Sequence, residues 1–450
     1  MSRTFRIGGI HPPGNKLSAG KEIKQTDLPQ QVAILLSQHI GAPATPVVDK
    51  GDCVKVGTLV AKAGGFISAN IHSPVSGTVL KLDSVTDASG YKRPAIIIKV
   101  EGDEWEESID RSVDLVTQTD LDAKAIVERV TQMGIVGMGG ATFPTGVKLS
   151  PPPNTPAEFL VVNAVECEPY LTGDDALMQA KAPEIMVGCS IVMKALGVQK
   201  ALIGIETNKP QAIKIMMQEA DKARAFLPQG QTIEIVPLKQ RYPQGGEKQL
   251  IDAVLRRQVT SGALPISTGA VVQNVATIFA IYEAVIKNKP LIERIVTVTG
   301  KSVASPGNFL TRIGTPMQNV IELAGGVPQD TAKVINGGPM MGKALITTDI
   351  PVTKGSGGIL LIKESEALRK PMRDCVRCGK CVSVCPMGLN PAFLMRNTLN
   401  KDWEDAERLY VVDCIECGSC SYTCPANRPL LDHIRLGKQT VMNIIRERKK

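Results

Sequence analysis

A multidomain α+β fold is predicted for this chain of 450 residues. Three observations predict it. The first hundred residues are short β-branched runs broken by Gly and Pro. Between 159 and 257, apolar strand-like runs alternate with helix-period segments. Eight of the 11 cysteines crowd between Cys375 and Cys424. At about 100–200 residues per domain the length suits three or four domains, and shifts in pattern divide the chain at 1–105, 106–290, 291–365 and 366–450.

In the first unit, 54–61, 71–82 and 93–100 read as strands. Residues 120–133 carry helical periodicity through Leu121, Ile126, Val127 and Val130, and stop at Gly134. A Gly-rich loop and a Pro-rich loop (151–153) follow. Strands are then expected at 159–163, 201–205 and 233–237, with helices at 182–196, 211–225 and 247–257, the order of a parallel α/β sheet. A strand at 294–300 opens a second β-rich unit, with a helix at 317–323 and a strand at 333–336. The remainder, from 366, reads as helices wrapped around the cysteines.

Composition narrows the function classes. Hydrophobic residues at 43% and charged residues at 21% fit a folded protein and exclude global disorder. Aromatics at 4% disfavour a stacking-based nucleic-acid binder, and no nucleic-acid partner is expected. The net charge of +8 is scattered. The start lacks the apolar core of a signal peptide. The uncharged stretch 258–282 is interrupted by Pro265, Gln273 and Asn274, so membrane attachment is expected to be peripheral. A basic amphipathic end (436–450) could dock on protein or lipid, or be a solvated helix end.

The cysteines form two copies of C-x2-C-x2-C-x3-C-P: Cys375, Cys378, Cys381, Cys385 with Pro386, and Cys414, Cys417, Cys420, Cys424 with Pro425. In this spacing three thiolates hold one [4Fe–4S] cluster and the fourth reaches the other. One cluster therefore takes Cys375, Cys378, Cys381 and Cys424, and the other takes Cys414, Cys417, Cys420 and Cys385. Structural zinc would use two C-x2-C pairs and leaves the third Cys and the Cys-Pro unexplained. A reducing compartment follows. Cys53 and Cys189 read as buried small hydrophobes, whereas Cys167 falls among the residues considered next.

The loop from Gly134 to Lys148 contains Gly137, Gly139, Gly140 and Gly146, and its backbone N–H groups could cradle a phosphate. It is not a dinucleotide fingerprint: Thr142 stands in the third Gly position and a helix precedes it. Three further polar groups lie at strand ends or helix starts: Asn163 with Glu166 and Glu168, Gly245-Gly246-Glu247, and Gln273-Asn274.

These motifs resemble the FMN- and NADH-binding subunit of respiratory complex I. Over the whole chain, from Gly8 through His11-Pro12-Pro13, through Asn336 to Gly342 and both cysteine repeats, the order resembles the RnfC subunits of the Rnf ion-translocating electron-transport complexes. The first unit looks like the β-sandwich of biotinyl and lipoyl carriers, but its tip, 68–72, has no Lys to modify, and His72 reads as a packing residue. The resemblance implies a carrier-like β-sandwich, an α/β flavin domain, a β-grasp-like soluble-ligand-binding domain and a helical two-cluster ferredoxin. It implies FMN contacts at Gly137, Gly139, Gly140 and Lys148 (phosphate and ribityl) and at Asn163, Glu166, Glu247 and Asn274 (flavin polar groups). Phe143 and Glu168 match positions near the nicotinamide. Val165 and Lys248 depart from the complex I pattern, which bears on how NADH is gripped. The setting of Thr142 only partly resembles covalent-flavin sites, so non-covalent FMN is expected. Many relatives carry Ala/Lys-rich C-terminal repeats that this sequence lacks.

The implied function is electron input to a membrane-bound ion-translocating oxidoreductase: NAD(H) to FMN to two [4Fe–4S] clusters, or the reverse. A flavin exchanges a hydride pair for the single electrons a cluster carries. The place implied is the cytoplasmic side of the inner membrane, as a peripheral protein, with a ferredoxin-like subunit and integral membrane subunits as partners. The alternative is a non-catalytic iron–sulfur wire with a lapsed flavin pocket. A soluble diaphorase is disfavoured because it typically closes with one cluster.

Overall fold

The structure is a computed structural model that describes residues 2–448. The N-terminal β unit consists of two small antiparallel sheets. One orders Gln31–Leu35, Lys92–Gly102, Ser76–Thr86 and Cys53–Val54; the other orders Thr45–Pro46, Leu59–Lys62 and Ile71–His72. Alternating residues of both, including Val32, Ile34, Val60, Ile71, Val79 and Ile98, close a common core. Pro74 and Val75 break the run expected at 71–82 into two strands. His72 is buried there, and burial holds its ring neutral, down to about 3. Cys53 corrects the sequence reading: in the alternation of its strand it faces outward and is exposed, and Val54 takes the core position. Cys189 is fully buried.

The α/β unit has a four-stranded parallel sheet in the order Thr232–Leu238, Lys200–Glu206, Phe159–Asn163, Ala270–Asn274. Its strands are apolar on both sides, as burial between helices demands. Helices Ala123–Gln132, Ala182–Leu196, Pro210–Ala223 and Val275–Ile286 pack with one face; Glu247–Leu255 packs with the other. A six-stranded mixed sheet follows in the order Ile23–Gln25, Gly307–Arg312, Glu293–Thr299, Gly358–Lys363, Thr331–Asn336, Lys343–Ala344. Its first strand comes from the far N-terminal part of the chain and runs parallel to Gly307–Arg312.

The last segment is helical: Lys380–Ser383, Pro391–Leu399, Trp403–Arg408, Ser419–Thr423 and Leu430–Arg448. Of its basic end, Arg435 and Lys438 pair with Glu416 and Arg448 pairs with Glu407; Lys449 and Lys450 lie outside the described residues. Among the described residues no helix is long and apolar enough to cross a membrane.

The N-terminal segment crosses these units like a strap. Arg3 N donates to Pro237 O, Ile10 exchanges backbone bonds with Tyr242, and Gly9 N donates to Val384 O at 2.9 Å. Lys354 is a second tie. Its fully buried amine donates to Asn70 O and Gly134 O, both at 2.7 Å, and fixes the start of the Gly-rich loop against the N-terminal sandwich.

Candidate functional site

In the parallel sheet, chain order runs outward from Phe159–Asn163 to one side, and Ala270–Asn274 lies on the other. The crevice at the carboxyl ends of these two strands is the topological switch point, where open α/β sheets bind ligands. Asn163 and Asn274 are register partners there. Asn274 caps helix Val275–Ile286 by accepting from Ala276 N (2.9 Å) and donates to Asp174 (2.8 Å) and Asn163 O (3.4 Å). Four residues before the helix Glu247–Leu255, Pro243 closes the turn that presents Gly245 O to Asn163 Nδ2 at 2.8 Å.

The Gly-rich loop docks against the same point. Gly137 N donates to Phe143 O (2.8 Å) and Met138 N to Thr277 Oγ1 (3.0 Å). A Cβ on Gly139 would stand 2.7 Å from Asn274 Nδ2, whereas a Cβ on Gly140 would meet nothing within 4 Å. Lys148 Nζ donates to Glu247 Oε1 at 2.8 Å and to Val272 O at 3.2 Å. Glu166 sits at a left-handed φ of 48°, and its carboxylate accepts from Asp174 N (2.8 Å) and Asp175 N (3.3 Å) at the start of helix Gly173–Ala180. Gly139, Lys148, Asn163, Glu166, Glu247 and Asn274 thus form one connected patch, with Gly137 and Gly140 near Gly139 in the same loop. Phe143 is half-buried beside it.

Glu168 looks elsewhere. Its carboxylate accepts from Met340 N (3.1 Å) and Met341 N (2.8 Å), and burial lifts it to about 7 against those two donors. The two departures also resolve: Val165 is a fully buried core residue, and Lys248 reaches Thr260 O, away from the Lys148–Glu247 pair.

Sequence reasoning missed three groups. Asp174, in the first turn after Glu166, has its carboxyl raised to about 6 by burial and by the Glu166 charge, opposed by Asn274 and Arg294. Arg294 is a buried cation from the neighbouring sheet; its Nη1 lies 2.7 Å from Met138 Sδ and its Nε donates to Ser356 O. Burial draws it down to about 10. A lone charge in the apolar run 294–298 was its only signal. Lys16 donates its amine to the carbonyls of Glu166, Glu168 and Leu171 (2.6–3.0 Å) and so pins the acidic loop from the strap. Nothing local in the sequence announces that contact.

The structure brings four of the eight repeat cysteines to one cavity. Cys385, Cys414, Cys417 and Cys420 line one cavity, flanked by Met387, Leu389, Ile415 and Leu431. Leu389 N and Glu416 N point at the sulfurs of Cys385 and Cys414, each at 3.4 Å. Burial, with the neighbouring cysteines, pushes the Cys414 thiol up to about 11 and that of Cys420 to about 12. Of the other four, burial raises the Cys381 thiol, and Cys375 and Cys378 are exposed. Among the described residues no three His, Cys, Asp or Glu side chains close to single-ion spacing; the four ligands of a cubane each meet a different iron.

The two regions touch. Tyr242, three residues before Gly245, donates its hydroxyl to Cys417 O at 2.8 Å. Cys167, Tyr242, Met340, Ile415 and Cys417 form one small apolar cluster. Gly245 N donates to Cys167 Sγ (3.4 Å), and burial pushes that thiol up to about 12. Cys167 and Tyr242 also line a cavity of about 370 Å³ with Lys16, Glu206 and Arg241. Tyr242 opens the Gly245-Gly246-Glu247 motif, but its bond to the cluster loop and this cavity were not foreseen.

The residues fit the groups their motifs imply. Gly140 leaves open space at the crevice, Lys148 supplies a cation, and the amide of buried Gln273, beside Asn274, has neither its nitrogen nor its oxygen paired. Four thiols facing one cavity, with backbone N–H groups on their sulfurs, suit a cubane.

Fold and site together define a flavin-domain protein fused to a two-cluster ferredoxin module. Family models match in that order: an RnfC barrel sandwich hybrid domain over 4–103, a Nuo51 FMN-binding domain over 130–283, an SLBB domain over 295–344 and a 4Fe-4S dicluster domain over 374–428. The chain is 44% identical over 98% of its length to the C subunit of the Na(+)-translocating ferredoxin:NAD(+) oxidoreductase complex of Acetobacterium woodii, covering 97% of that protein. It is also 44% identical over 88% of its length to the C subunit of the proton-translocating ferredoxin:NAD(+) oxidoreductase complex of Clostridium ljungdahlii, covering 84% of it. The chain belongs to this family, the C subunits of ion-translocating oxidoreductase complexes. A crystal structure of an NAD+-reducing [NiFe]-hydrogenase shares the fold at 22% identity and a TM-score of 0.50, over 71% of this chain and 62% of that one.

Proposed function

We propose that this chain is the electron-transfer subunit through which a membrane-bound, ion-translocating ferredoxin:NAD oxidoreductase complex exchanges electrons with NAD(H). FMN and two [4Fe–4S] clusters are its cofactors, and it works with other subunits of the complex, a ferredoxin-like one and integral membrane ones among them. It sits peripherally on the cytoplasmic side of the inner membrane. Its units are a carrier-like sandwich (1–105), a flavin α/β domain (106–290), a β-grasp-like domain (291–365) and a helical ferredoxin (366–450).

Bound at the switch point, non-covalent FMN supplies the exchange between a hydride pair and single electrons. Gly137, Gly139 and Gly140 give its phosphate and ribityl chain close backbone approach, and Lys148 brings the countercharge, aimed by Glu247. Asn163, Glu166 and Asn274 form the polar floor, fixed by the Asp174 and helix-cap bonds. Phe143 and Glu168 border the nicotinamide side, and Lys16 holds the loop that carries Glu168. Cys385, Cys414, Cys417 and Cys420 hold the inner cluster, and Cys375, Cys378, Cys381 and Cys424 the outer one.

The observation that carries this reading is the hydroxyl of Tyr242, a switch-point loop residue, bonded to the backbone of a cluster cysteine. To test it, the purified chain is reconstituted anaerobically with iron, sulfide and FMN, and bound flavin and NADH-driven bleaching of cluster absorbance are measured. Stoichiometric FMN and bleaching by NADH are expected. Full cluster absorbance with no retained flavin would overturn it.

A further inference from the structure

The two cysteine sets differ in exposure. Cys417 is buried against Tyr242 of the flavin-bearing unit and Cys420 in the core of the helical segment, whereas every residue from 368 to 380, across Cys375 and Cys378, is exposed. This run is not loose. Arg373 N donates to Ala426 O (2.9 Å), Asn427 Nδ2 to Pro371 O (3.1 Å) and Arg428 Nη1 to Arg373 O (3.3 Å). The loop after Cys424 thus holds it in place.

Its chemistry is one-sided. Lys370, Arg373, Arg377 and Lys380 alternate with Leu368, Met372 and Val376, which are 80%, 59% and 69% exposed. Asp374 is the single acid of the run, and the nearby Asp432 is neutralised by Arg369 at 2.8 Å. Apolar side chains among unpaired cations, with Met and Arg prominent, have the composition of a protein interface. The field around the exposed thiols selects a partner of negative charge.

We propose that this face is the electron-exchange port of the chain, and that it docks the acidic surface of a one-electron iron–sulfur protein domain. The inference rests on the two-cluster reading above. A lipid surface would meet the charges but could exchange no electron with a cluster held by the cysteines they surround. In the outward direction one electron leaves the outer cluster and one oxidised centre of the partner gains it; no bond forms or breaks and no proton moves.

The test uses the full chain with its cofactors and, as probe, an acidic two-[4Fe–4S] ferredoxin. Its binding and, separately, its NADH-driven reduction are followed from about 0.02 to 0.5 M salt, a span over which surface charges go from weakly to strongly screened. The variant Lys370→Glu/Arg373→Glu/Lys380→Glu is compared with Lys62→Glu/Lys124→Glu/Lys214→Glu, an equal charge change on remote exposed positions. In the port variant, affinity and second-order rate are expected to fall at least about tenfold at low salt and to approach wild type at high salt. NADH-driven reduction of the chain's own clusters stays unchanged. Met372→Asp, with the cations intact, is expected to weaken binding at every salt concentration. Equal losses in port and remote variants would overturn the proposal, as would unchanged binding in the port variant. So would loss of capture by anionic phosphatidylglycerol vesicles with ferredoxin binding retained. If NADH fails to reduce the clusters of the wild-type chain, the functional reading fails, and the binding arm still decides the port.

Discussion

Two neighbouring glycines separate packing from ligand binding. Neither Gly139 nor Gly140 has a positive φ, so alanine is allowed by the backbone at both. At Gly139 the new methyl would lie 2.7 Å from Asn274 Nδ2 and 3.0 Å from its Cβ and Cγ. Asn274 has little freedom to retreat, because it caps a helix and holds Asp174. Relief needs a shift of several tenths of an ångström or the loss of one of those bonds, a cost of about 1–3 kcal/mol. At Gly140 the methyl enters space free of protein atoms. Gly139→Ala is therefore expected to lower the melting temperature of the flavin-free chain and, at about 1.4 kcal/mol per tenfold, to weaken FMN by roughly tenfold or more. Gly140→Ala is expected to leave that melting temperature unchanged and still weaken FMN by about tenfold, because its methyl fills the cradle. Quenching of flavin fluorescence measures affinity, and a thermal melt without FMN measures packing. Wild-type affinity in Gly140→Ala would refute the cradle, and an unchanged melt in Gly139→Ala would refute the packing against Asn274.

Tyr242→Phe leaves the buried Cys417 carbonyl without its donor, a loss of about 1–3 kcal/mol. Iron should leave the variant faster under chelator challenge, and a release rate equal to wild type would contradict the link. Cys385→Ser is expected to halve cluster iron by emptying the set with Cys414, and Cys375→Ser to halve it through the other set; iron analysis and electron paramagnetic resonance should show different residual signals. If Cys385→Ser instead removes the signal seen lost in Cys375→Ser, the cross-over is wrong. Glu168 is held up to about 7 by burial. The folded chain then keeps a proton that the unfolded chain gives up near 4.5, so this residue's contribution to stability is lost as pH rises from about 4.5 to 7. Melting temperatures across that interval should fall less steeply in Glu168→Gln, and parallel curves would refute the assignment.

Much of this was legible in the sequence because it is local. The strand 159–163 and the helices 182–196 and 317–323 follow from period and flanking Gly or Pro. The shared cavity of Cys385, Cys414, Cys417 and Cys420 lies where the spacing leads one to look. What escaped depends on distant partners. Helix Val275–Ile286 is rich in Val, Ile, Thr and Tyr, residues that favour strands, and it is helical because it is packed on nearly every side. The strand Ile23–Gln25 is short and polar, and it exists only because Gly307–Arg312 offers an edge. Arg294 and Lys16 reach the flavin site, and Tyr242 reaches the cluster loop, across unit boundaries, where no periodicity points.

The strap described above has a consequence for how the protein is made. Gly9 and Ile10 precede their partners, Val384 and Tyr242, by several domains' length of chain. A Cβ on Gly8 would meet the backbone of Cys385 at 2.5 Å, so strap and ligand loop interlock. Domains can fold in turn as they emerge, but this seam cannot close until the segment bearing Val384 and Cys385 has been made. A seam between segments so far apart in the chain is therefore a late contact in folding, and it closes directly over the loop that bears Cys385.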